Sequence, residues 1–79
     1  MAETLRDGYS ATIDAYLEVG TSRYRIGRIR AGEMMLRDAC DLAPATEGTV
    51  VVCVDGSCRR TPVVLIHGAR EANRAVEYF

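Results

Sequence analysis

Ser10-Ala11-Thr12-Ile13-Asp14-Ala15-Tyr16-Leu17-Glu18-Val19, then Gly20-Thr21-Ser22, then Arg23-Tyr24-Arg25-Ile26-Gly27-Arg28-Ile29-Arg30, is the stretch whose reading decides the fold. In its first part Ala11, Ile13, Ala15, Leu17 and Val19 fall on one side, and Thr12, Asp14, Tyr16 and Glu18 on the other. That period-two alternation predicts a half-buried strand. Gly20-Thr21-Ser22 supplies a turn. In the second part Tyr24 and Ile26 share a face, but beyond Gly27 the parity slips by one. A β-bulge at Gly27 restores it, because one extra residue shifts the alternation and glycine tolerates the backbone angles. With that bulge Tyr24, Ile26 and Ile29 are expected to point inward. Arg23, Arg25, Arg28 and Arg30 then share the outer face.

The rest of the chain continues the same style. Ala31-Gly32 turns into a short third strand over Glu33 to Asp38, and a connection carrying Pro44 and Gly48 follows. Thr49-Val50-Val51-Val52-Cys53-Val54 is largely β-branched and reads as the strongest strand. Asp55-Gly56 is a favoured two-residue hairpin turn. The return strand runs from Ser57 to His67, with Pro62 suited to an edge or a bulge. In the last segment Ala69, Ala72, Val76 and Phe79 have helical spacing, yet Ala75 to Phe79 also reads as a strand. The expected fold is mainly β: a small antiparallel barrel of five to six strands, with a possible short terminal helix. Residues 1–9 read as a tail or a short helical turn, and residues 10–79 as one domain.

Composition narrows the function classes. A chain of 79 residues with 48% hydrophobic and 27% charged residues has room for one core, which lowers the prior for catalysis. A net charge of −1 argues against bulk attraction to nucleic acid or acidic membranes. The longest uncharged apolar run, Thr49 to Val54, is far short of a membrane span. Met1-Ala2-Glu3-Thr4-Leu5-Arg6 has no apolar leader core, so a cytoplasmic location is expected. All ten basic residues are Arg. Guanidinium groups suit bidentate anion recognition, although codon usage in a GC-rich genome produces the same bias.

Few residues can carry chemistry. Across an Asp55-Gly56 turn Cys53 faces Cys58, close enough for a disulfide. Their spacing with Cys40 does not fit a zinc site, and reduced packing cysteines are the plainer expectation. His67 has no assignable nucleophile and orienting carboxylate. No catalytic residue, metal site or cofactor is expected. Arg23, Arg25, Arg28 and Arg30 are the candidate ligand-binding residues, for a nucleotide, RNA or an acidic partner. Asp14 and Glu18 on the neighbouring strand are their natural ion-pair partners. The strand Thr49 to Val54 is apolar on both faces, so Val51 and Cys53 are candidates for a surface covered by another element or subunit.

The order of features, with Tyr24-Arg25-Ile26-Gly27-Arg28-Ile29-Arg30-Ala31-Gly32-Glu33-Met34-Met35-Leu36, a proline-bearing loop and Gly48-Thr49-Val50-Val51-Val52, resembles the PilZ domain. The resemblance implies a six-stranded antiparallel barrel over residues 10–79 and a sixth strand at Ala75 to Phe79. Many members of that family bind the bacterial second messenger cyclic diguanylate through an Asp/Asn-x-Ser-x-x-Gly motif and an upstream arginine pair. Here Arg28 and Arg30 occupy the Asp/Asn and Ser positions and Glu33 the final glycine position, and upstream only Arg6 is available. A degenerate PilZ-like domain is therefore expected, not binding cyclic diguanylate in the usual way. Its expected role is a non-catalytic regulatory or protein-interaction module, acting on a protein partner or by self-association. The alternative is arginine-mediated binding of a nucleotide or nucleic acid by the Arg23–Arg30 strand.

Overall fold

The computed structural model describes residues 13–79. The expected tail or helical turn over residues 1–9, and the start of the first strand at Ser10, lie outside them. Six strands follow in order: β1 (Ile13–Val19), β2 (Ser22–Arg30), β3 (Glu33–Leu36), β4 (Thr46–Val54), β5 (Ser57–Leu65) and β6 (Ala75–Glu77). They form one antiparallel sheet in the order β5-β4-β1-β2-β3-β6. Its two outermost strands approach at one end. The Val64 N–H donates to the Phe79 carbonyl at 2.8 Å, the Phe79 N–H returns to the Val64 carbonyl at 3.0 Å, and the Ile66 N–H donates to Glu77 at 2.9 Å. The sheet thus curls into a half-barrel.

Local sequence accounts for the strand boundaries. Asp55 and Gly56 both have positive φ, 50° and 88°, as a type I′ turn requires between β4 and β5. The register of β2 against β3 shifts between Ile26 and Arg28, which places the bulge at Gly27. Beyond it Arg28 lies opposite Met35 and Ile29 opposite buried Met34, so the arginines alternate outward and Ile29 inward. Ile29 is nevertheless 37% exposed. Pro62 lies on β5, the outer strand of the sheet. Its position two residues before Val64, whose backbone faces away from β4, aims its missing N–H at the free edge.

No helix forms among the described residues, and the C-terminal segment is strand β6. Helix propensity at Ala69 and Ala72 is overridden by tertiary pairing. Ala69 is buried and exchanges hydrogen bonds with Leu42, at 2.9 and 3.0 Å, while Gly68 turns the chain with φ +71°. Leu17, Ile26, Met34, Leu36, Val50, Val63, Leu65, Ala69 and Val76 make the core on the concave face.

One irregularity positions the site. Residues Tyr16–Val19 of β1 pair with β2, but Ile13, Asp14 and Ala15 pair only with β4. Past Arg25, β2 swings away at the bulge to pair with β3. The half-barrel is therefore open beside the start of β1.

Candidate functional site

The outer face is best followed as rows across the strands. Register places Arg60, Val51, Tyr16 and Arg25 in one row, from β5 through β4 and β1 to β2. Pro62, Thr49, Glu18 and Arg23 form the next, and Cys58, Cys53 and Asp14 the row on the other side. Directly opposed side chains on one face interact. Arg23 lies 3.4 Å from Glu18 and stacks over Tyr16, 4.4 Å from the ring centroid. Arg60 also reaches Glu18. Because Arg60 stands on β5 and Glu18 on β1, the Arg60 side chain must cross β4, at the level of Val51. That crossing explains why Val51 is only 1% exposed although it lies outside the core cluster. The chain itself covers Val51, so this residue offers no open interaction surface.

The four candidate arginines do share the outer face, but carboxylates hold three of them. Arg23 pairs with Glu18 as its strand neighbour. Arg25 pairs with Asp38, beyond β3, and not with β1. Its Nε and Nη2 donate to Asp38 Oδ1 at 3.1 and 2.7 Å, and its backbone N–H donates to Oδ2 at 2.7 Å. These bonds from Arg25 hold the Asp38 carboxyl down at about 2 and push the Arg25 guanidinium up. Arg30 pairs with Glu33 at 2.7 Å. Arg28 has no carboxylate partner among the described residues, and neither does Arg37, whose side chain packs against Gly27. Asp14, expected to neutralise the arginines, forms no ion pair among the described residues. A cleft of about 460 Å³ at the open side of the half-barrel is lined by Arg23, Arg25, Arg37, Asp14 and Ile13 among others.

Cys53 and Cys58 face one another, as the turn predicts, and are joined by a disulfide, so they are not the reduced packing cysteines that were the plainer expectation. Their Cα atoms are 3.9 Å apart, one position beyond the Val54–Ser57 pair that closes the turn, where antiparallel strands come closest. Cys40 is half-buried, and burial, with Asp41 and Asp38 nearby, pushes its thiol up. His67 is exposed, its Nε2 3.3 Å from Glu77 Oε1. Among the described residues no group of three or more His, Cys, Asp or Glu is placed to hold a metal ion.

The concave face carries a feature that residue-type reasoning passed over. Leu17 opposite Val50, Ala15 opposite Val52, and Ile13 opposite Val54 form one continuous apolar stripe along β1 and β4. Its barrel end is core, with Leu17 at 0% and Val50 at 4% exposed. Its far end runs past the cover of β2 and β3, leaving Ile13 64% and Val54 42% exposed. The alternation in β1 carried the signal for the stripe. Where its cover stops depends on how β2 departs, which no local pattern states. No known protein family, curated protein or solved structure matches this chain.

Proposed function

We propose that this chain is a non-catalytic β-barrel module, PilZ-like in build, that works by binding protein, with a second copy of itself as the first candidate. The uncovered end of the concave stripe, Ile13 with Val54 and Val52 and Ala15 behind them, carries this reading. Adjacent apolar side chains left at the end of a core stripe gain free energy when another surface covers them. A two-fold pairing would set the stripe of one copy against the same stripe of the other. The net charge of −1 puts little repulsion in the way of two copies meeting. Size-exclusion chromatography with light scattering tests the reading. A concentration-dependent dimer that Val54→Asp converts to monomer supports it; a monomer throughout, with no partner retained in a pull-down, counts against it.

A second reading keeps an observation of its own. Arg28 and Arg37 are unpaired among the described residues and flank the Gly27 bulge, which leaves guanidinium groups free for a phosphate. Arginine-mediated binding of a nucleotide or nucleic acid is tested by an NMR titration with cyclic dinucleotides and short RNA. No shift changes around Arg23 to Arg30 would dismiss it.

A further inference from the structure

The Cys53–Cys58 disulfide contributes little to holding the fold. Five positions separate the two cysteines, and the Asp55-Gly56 turn already closes the loop between them. Eight register pairs besides their own zip β4 to β5 independently of it. The stabilisation a cross-link draws from loop closure grows with loop length, so a loop this short gains least. The bond lies on the outer face, away from the core cluster. Cys58 is exposed, on the stretch of β5 from Ser57 to Pro62 that is exposed throughout. Cys53 is half-buried, with Asp14 opposite it on β1. An incoming nucleophile therefore reaches the Cys58 sulfur first.

We propose that Cys53–Cys58 is a reversible thiol–disulfide exchange site that external thiols open and external disulfides close on the folded protein. The thiolate of an external thiol attacks Cys58 Sγ. A bond forms between those two sulfurs, the Cys53–Cys58 bond breaks, and Cys53 leaves with the electron pair and takes up a proton from solvent. A second external thiolate then attacks the external sulfur of the mixed disulfide and releases Cys58, which is protonated in turn. The protein disulfide gains two electrons and two protons, and the two external thiols are oxidised to their disulfide. Cys40 stays outside this exchange because its thiol is partly buried and its ionisation disfavoured. In a reducing compartment a disulfide of this kind is transient, which fits an exchange site better than a structural staple.

The test uses the oxidised full chain and reduced glutathione as the thiol. Disulfide opening is followed by maleimide labelling and mass spectrometry, with far-UV circular dichroism recorded alongside. The folded protein is expected to open at a rate within tenfold of the urea-unfolded chain, with unchanged dichroism and the glutathione adduct on Cys58. Opening more than tenfold slower than in the unfolded chain, loss of β dichroism on opening, or an adduct on Cys53 would each overturn the proposal. A Cys53→Ser variant provides an independent check. It is expected to remain folded and to take up glutathione at Cys58 from oxidised glutathione, and failure of the folded variant to do so would also overturn it.

Discussion

Replacing Gly68 by alanine puts the packing of the loop that positions Asp38 to a quantitative test. Gly68 has φ +71°, and a Cβ built on it would lie 2.0 Å from the Leu42 carbonyl oxygen and 2.6 Å from the Ala43 carbonyl. The left-handed conformation alone costs a non-glycine residue about 1–2 kcal/mol. The overlap is with backbone, so it is relieved only by moving Leu42 and Ala43. That movement breaks the two hydrogen bonds between Leu42 and Ala69, worth about 1 kcal/mol each. The expected loss is roughly 3–4 kcal/mol, a large share of the stability of so small a domain. At about 4–8 °C per kcal/mol for a domain of this size, the melting temperature falls by roughly 12–32 °C. Gly20 is the matched control, with φ +60° and nothing within 4 Å of its would-be Cβ. Gly20→Ala should lose only the conformational cost, about 1–2 kcal/mol. Urea unfolding followed by far-UV circular dichroism measures both variants. Equal losses would refute the argument, since they would mean that backbone conformation alone, and not the close approach of Leu42 and Ala43, sets the requirement for glycine.

Three further outcomes follow from the outer face. Arg60→Ala should uncover Val51 and destabilise the domain by about 1 kcal/mol, more than Arg23→Ala, because the Arg60 stem covers apolar surface as well as pairing with Glu18; chemical unfolding of the two variants distinguishes them. Asp38 is held at about 2 in the fold, below its ordinary value of 3.8, so its contribution to stability is complete above pH 4 and is lost as pH falls through about 2. Asp38→Asn should flatten the stability-against-pH curve in that window, and a curve unchanged from wild type would show that Arg25 does not stabilise the carboxylate. Pro62→Thr should leave the β4–β5 ladder intact but give the edge of β5 a free N–H, raising aggregation on heating as followed by turbidity.

Much of the sheet was legible because it is written in local patterns. The alternation in β1, the parity slip at Gly27 and the Asp55-Gly56 turn are each complete within a few residues, and together they set three strand pairings. Pro62 suited an edge or a bulge, and it stands on the outer strand. The ion pairs were less legible, since Arg25 finds Asp38 and Arg60 finds Glu18 only after the strand order brings distant segments together. The same holds for Val51: it stands on the outer face, but its cover comes from Arg60 opposite it on β5, whose side chain is drawn across β4 by Glu18 on β1. The terminal segment was open to both helix and strand in its local pattern, and the Leu42–Ala69 pairing and the strand at Ala75, both long-range, outweigh the helix-forming alanines. The oxidation of Cys53 and Cys58 is likewise a matter of chemistry that spacing permits but does not decide.

Self-association through the apolar stripe at the open end of the half-barrel is tested best by intermolecular contacts read directly at its methyl groups. A one-to-one mixture of isotope-labelled and unlabelled chains, observed by isotope-filtered NMR, reports only contacts between copies. Such contacts are expected among the methyls of Ile13, Val52 and Val54, and should disappear in Val54→Asp. Intermolecular contacts confined to another face, or none at concentrations where light scattering finds a dimer, would contradict it.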